Sequence, residues 1–115
     1  MIILTPRSPT ELTQLVKQSP LTQTTQGVLT YALDLSDLGT PTSPGITVLN
    51  RLTGGNATSI VCPGGASINS DGRVEFTLRD MLNEYAYLCN ITCTISELGA
   101  PFVAQLIVRC SDAGV

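Results

Sequence analysis

The alternation that runs through residues 73–110 constrains this chain more than anything else in it. Val74, Phe76 and Leu78 alternate with Arg73, Glu75 and Thr77. After a turn at 79–84, Tyr85, Tyr87, Cys89, Ile91, Cys93 and Ile95 alternate with smaller or polar residues, and a third run at 102–110 alternates again. A period of two sustained this long predicts strands with one face buried. The short turns between them make successive strands antiparallel neighbours, which leads to a sandwich or a barrel. Modules of this kind work most often by binding. The sequence has no histidine, so the commonest general base and metal ligand is missing.

The same rhythm continues upstream. Leu29, Tyr31, Leu33 and Leu35 share a face in a strand expected at 28–35. The segment 36–45 reads as a loop from its Gly, Thr, Ser and Pro content, and strands are expected at 46–52 and 58–62, with a short piece at 67–69. Turn signals recur about every 8–12 residues, the spacing of an all-β sandwich. Together these elements predict an immunoglobulin-like antiparallel β-sandwich of about seven strands over 28–115, preceded by an N-terminal arm over 1–27. Its core is expected at Val74, Phe76, Leu78, Tyr85, Tyr87, Ile91, Ile95, Leu106 and Val108. Tyr87, two residues before Cys89 and just after a corner, sits where such domains place a corner tyrosine. The chain has no Trp, and the 28–35 strand has no Cys, so the inter-sheet disulfide of antibody domains has no counterpart.

The arm is harder to read. It holds three of the seven prolines and much Thr, Ser and Gln. Ser8-Pro9-Thr10-Glu11 has the form of a helix-capping box, and Leu12, Leu15 and Val16 follow at helical spacing, so a short helix over 9–17 competes with an extended arm. Ile2, Ile3, Leu4, Leu12, Leu15 and Val16 need something to bury against: a neighbouring subunit, or the domain's own sandwich. Leu38, Pro41 and Pro44, in the 36–45 loop, are expected to join the same or a neighbouring partner contact, with strand addition at a sheet edge as its mode.

Catalytic constellations are weak. Without histidine a serine nucleophile needs a lysine base, and the single lysine, Lys17, lies in the arm. Asp37 and Asp71 fall in turns, where Asp caps backbone amides, and neither Gly54-Gly55 nor Gly64-Gly65 leads into the helix that a phosphate loop requires. No catalytic, cofactor-binding or metal-binding residue is expected. Cys89 and Cys93, roughly 13 Å apart along one strand, cannot bridge each other, and their spacing does not sit on a zinc turn. The expectation is four buried free thiols, with a Cys89–Cys110 or Cys93–Cys110 bridge as the alternative.

Charged residues make up only 13% of the chain against about 25% in an ordinary soluble protein. A surface this poor in charge is expected to be covered by partners or to rely on Thr, Ser, Asn and Gln. The net charge of −3, with scattered basic residues, argues against nucleic acid. No stretch has the ~20 apolar residues of a spanning helix, and Met1-Ile2-Ile3-Leu4 is too short for a signal peptide, so no membrane partner and a cytoplasmic site of synthesis are expected.

Three segments carry a resemblance to a known family: Val28-Leu29-Thr30-Tyr31-Ala32-Leu33-Asp34-Leu35-Ser36-Asp37, Thr58-Ser59-Ile60-Val61-Cys62-Pro63-Gly64-Gly65-Ala66-Ser67, and the strand pair of residues 85–110. They resemble the fibre-tail adaptor proteins of tailed bacteriophages, small immunoglobulin-like virion proteins. The resemblance implies no enzymatic activity and no cofactor. It implies assembly in the host cytoplasm into a virion, in several symmetric copies, against tail-fibre, portal, tail or capsid subunits. The station could be tail, neck or head–tail junction, or the capsid surface as a cement or decoration protein. A carbohydrate- or receptor-binding sandwich is the rival class. It would favour exposed Trp and Tyr, whereas this chain has no Trp and three Tyr, all alternating toward faces expected to be buried.

Overall fold

The computed structural model describes residues 1–112; the extent 28–115 read from the sequence runs on into 113–115, which lie outside the described residues. Nine strands form two sheets that face each other across one core. The first sheet has the order β1 (Ile2–Leu4), β4 (Leu29–Leu33), β7 (Val74–Leu78), β6 (Ala66–Ile68). The second runs from β2 (Thr13–Leu15) and β3 (Leu21–Gln23), both on β9 (Ala100–Cys110), through β8 (Ala86–Ile95) to β5 (Pro41–Asn50). The all-β sandwich expected from the alternation is what forms, with nine strands among the described residues where about seven were expected. The sheets are mixed, because β1, β2 and β3 pair parallel to their neighbours while the body is antiparallel.

The core follows the period of two. In β7, β8 and β9 every second residue is buried, with Phe76, Ile91, Ile95, Phe102 and Leu106 among the largest. The expected core residues are buried except Tyr85, which precedes β8 and is only partly covered. Tyr31 and Phe76 stack across β4 and β7 with centroids 5.4 Å apart. The Tyr87 hydroxyl accepts a hydrogen bond from the Leu82 amide at 3.0 Å, tying the start of β8 back to the turn before it.

Residues 1–27 share this core. β1 adds an edge to the first sheet, and the chain then crosses to lay β2 and β3 along β9 before returning to the first sheet at β4. No helix forms at 9–17: instead the Gln14 side chain accepts from the Ser8 amide and donates to the Ser8 and Glu11 carbonyls, which closes a compact turn where the capping box was read. Where the β9 ladder passes from β2 to β3, the Ser19 hydroxyl accepts from the Ile107 amide. A β9 amide that falls between the two ladders is thereby satisfied.

Two further expectations are corrected. Residues 58–61 form a helical turn, α1 (Thr58–Val61), where a strand was expected. The Asn56 carboxamide accepts from the Thr58 amide, and the Thr58 hydroxyl accepts from the Val48 amide of β5, so side-chain bonds outweigh the strand propensity of Ile60 and Val61. The 36–45 loop is shorter than read, because β5 begins at Pro41. β5 is an edge strand, where prolines are tolerated, and its register shifts between Thr42 and Gly45, with Ser43 at φ 52°. The arm closes one flank of the sandwich, and α1, whose Val61 carbonyl accepts from the Arg79 amide, closes the other.

Candidate functional site

The residues expected to meet a partner do not form one surface. Leu4, Val16, Leu38 and Pro41 are buried within the domain, and Ile2, Leu15 and Pro44 are half-buried. Only Ile3 and Leu12 are exposed, and they lie on different sheets' edges. Leu4 and Val16 have no surface to offer while the arm lies in place. Leu38 packs beside the crossing of the arm, in the wall of a cleft that also holds Arg7, Lys17, Asp34 and Asp37.

That polar end of the sandwich is held by side-chain clamps. The Glu97 carboxylate accepts from the Thr40 amide and hydroxyl, which holds its carboxyl below the usual range. A Cβ on Gly39 would stand 2.6 Å from that carboxylate, and its φ of +143° also favours glycine, so position 39 serves the clamp. The Ser36 amide and then its hydroxyl lower the Asp34 carboxyl, with a smaller contribution from Arg73 at 3.8 Å. Asp34, Asp71 and Glu97 line a second, adjacent cleft. Among the described residues no group of three or more His, Cys, Asp or Glu converges to hold a metal ion.

The four cysteines are free and buried. Cys89 lies opposite Leu106 and Cys93 opposite Phe102, while Cys110 ends β9 beyond the Ala86–Arg109 pair. Register alone keeps Cys110 more than a disulfide's reach from either. Burial pushes the Cys89 thiol up to about 12, helped by Cys62, and the Cys93 thiol up to about 11. Thiols so placed are inert as nucleophiles at neutral pH.

Two surfaces stand out instead. The first is the outer face of the second sheet. Leu49, Leu88 and Ile107 form a cross-strand row on β5, β8 and β9, and below it lie Thr47, Asn90, Gln105, Thr92 and Val103. These side chains alternate with buried ones and are partly or fully exposed, and Leu15 of β2 sits beside Gln105. These rows carry no charge; the next one, Ala86–Arg109, brings in Arg109, with the Arg51 amide donating to the Ala86 carbonyl beside it. The second is an apolar corner where the turn after β5, α1 and the turn before β8 meet. Ile60, Val61, Leu82 and Tyr87 line a cleft there of about 210 Å³.

Neither surface was read from the sequence. The row hides among the polar half of the alternation, and Leu52, Ile60 and Leu82 look like strand or turn residues until the fold leaves them outside. The signal available was large aliphatic residues in turns, at 52 and 82, where turn chemistry does not ask for them. Comparison of the sequence with family models and with curated proteins finds no match to either.

Proposed function

We propose that this chain is a non-enzymatic structural protein of a tailed-bacteriophage particle. In this reading it is an adaptor that docks tail fibres or neighbouring subunits at the tail, neck or head–tail junction, in several copies, after assembly in the host cytoplasm. One observation carries the reading most: the outer face of the second sheet, with its Leu49–Leu88–Ile107 row set in uncharged Thr, Asn and Gln, is a charge-poor, partly apolar surface suited to lie against another protein. The small, charge-poor domain and the resemblance of its three segments to fibre-tail adaptors agree with it.

Purified particles from cells that make the chain test the proposal. Quantitative mass spectrometry should find the chain in the particle fraction at a fixed ratio to the major subunits, and a density map should show the second sheet's outer face covered. Leu88→Glu with Thr92→Glu should melt close to the parent and fail to enter particles. A chain that stays wholly in the particle-free fraction would defeat the proposal. A map that places it on the capsid surface would move it to a cement or decoration role.

A further inference from the structure

Charge is scarce in this chain, yet much of it gathers at one end of the sandwich. Of the six basic and nine acidic residues, two basic and four acidic ones line the two adjoining clefts there, which share Asp34 and Ser36. The first cleft, of about 230 Å³, carries both signs. Arg7 and Lys17 come from the crossing between β1 and β2 and from the turn after β2, and Asp34 and Asp37 from the turn after β4. These charges are not spent on one another. Arg7, Lys17 and Asp37 form no ion pair among the described residues, and Asp34 pairs with Arg73, at 3.8 Å.

The walls that carry them are fixed from outside the cleft. The Thr5 amide donates to the Gln18 carboxamide at 2.9 Å, and the Thr5 carbonyl accepts from the Lys17 amide at 2.9 Å. The Ser8 amide donates to the buried Gln14 side chain. Across the cleft the Asp34 amide donates to the Leu4 carbonyl, and the Asp34 carboxylate accepts from the Ser36 amide. A site whose backbone is already held loses little freedom when a ligand enters.

The lining selects the class of ligand. Among the described residues no group of three His, Cys, Asp or Glu converges on a metal ion. A bare anion at Arg7 and Lys17 meets the Asp37 carboxylate in the same cleft, and a bare cation at Asp37 meets the two basic groups. No aromatic side chain lines the cleft, so a quaternary ammonium finds no cage there. A ligand that carries both signs satisfies both walls.

We propose that this cleft binds a small zwitterion, an anionic phosphate or carboxylate joined by a short linker to a primary ammonium. The anionic group meets Arg7 and Lys17, which offer N–H donors, and the ammonium donates to the Asp37 and Asp34 carboxylates. The site is separate from the Leu49–Leu88–Ile107 row, so it and the adaptor reading stand or fall independently. Arg7, Lys17 and Asp37 are exposed, and their contacts are screened by solvent, so the Kd is of the order of 1 mM.

An amide NMR titration of the purified full chain tests this. O-Phosphoethanolamine or β-alanine should shift the amides of residues 5–9, 17 and 34–38 and reach saturation. Phosphate alone and ethanolamine alone should each bind at least about fivefold more weakly. Lys17→Glu and Asp37→Asn, at exposed positions, should each weaken the zwitterion at least about fivefold and keep the parent's melting temperature. Arg7→Ala gives the same reading should Lys17→Glu disturb the crossing, and Arg51→Glu, outside the cleft, should change nothing. Sedimentation with phosphatidylethanolamine vesicles and not with phosphatidylcholine ones makes a membrane headgroup the source of the zwitterion; saturable binding without such sedimentation makes it a soluble one. Saturation by neither zwitterion up to about 50 mM overturns the proposal. So does phosphate alone binding as tightly as O-phosphoethanolamine, undiminished binding in folded Lys17→Glu and Asp37→Asn, or equal loss in Arg51→Glu.

Discussion

Gln23 shows how one arm residue can hold two sheets together. It is 3% exposed, its carbonyl oxygen accepts from the Tyr31 hydroxyl at 2.8 Å, and its amide donates to the Gly27 and Leu78 carbonyls. Every polar atom of the side chain is used, which makes a buried network stabilising and not a liability. Gln23→Ala strands the buried Tyr31 hydroxyl and Leu78 carbonyl and frees the part-buried Gly27 carbonyl, and should cost roughly 1–3 kcal/mol in urea unfolding, while Tyr31→Phe, which removes a single bond, should cost about 1 kcal/mol. A Gln23→Ala chain as stable as its parent would show that the pin carries no energy. Phe76, stacked on Tyr31 and 2% exposed, should cost about 3–5 kcal/mol on truncation to Ala. At neutral pH the native chain should resist a thiol-specific reagent at all four cysteines, and the same reagent should titrate all four in denaturant.

At the scale of elements, legibility tracked how local the causes are. β7, β8 and β9 were legible because each buries alternate residues along its whole length, a pattern that no neighbour can hide. α1 was not, because it is set by Thr58 and Asn56 bonding to β5 and to the chain itself, against the propensity of Ile60 and Val61. β1, β2 and β3 were not, because three residues are too few to show a period, and their partners on β4 and β9 lie far along the chain. For the candidate site the limit is sharper. A residue's exposure depends on what fails to cover it, and Leu52, Ile60 and Leu82 became visible only once the turns around them were placed. The arm's pairing also changes what deletion should do. Removing residues 1–23 takes Leu4 and Val16 from the core and uncovers the β9 edge and Tyr31. Since each buried aliphatic is worth about 2–5 kcal/mol on truncation, the shortened chain should lose its cooperative melt by circular dichroism. A truncated chain with an unchanged melting temperature would show that the arm is dispensable to the fold.

For the whole molecule, titration should narrow stability from both sides. The Asp34 and Glu97 carboxyls lie below their unfolded values, so their contribution is present above the ordinary carboxylate range and fades as pH falls through it and below. Tyr31, Cys89 and Cys93 are raised, to about 12, 12 and 11, so what they contribute is complete below the unfolded thiol value near 9 and is lost as pH rises toward 12. Melting temperatures across pH should therefore form a plateau that drops below about 4 and again above about 9; a flat profile to pH 11 would mean that the thiols and Tyr31 are not buried as described. The route of the arm has one more consequence, and it concerns time. β2 and β3 are synthesised long before their partner strand β9. At ribosomal rates of about 5–20 residues per second, Val16 and Leu21 stay uncovered for seconds until β9 emerges. Strands made early thus wait for one made late, and the nascent chain depends on whatever shields those side chains until β9 is in place.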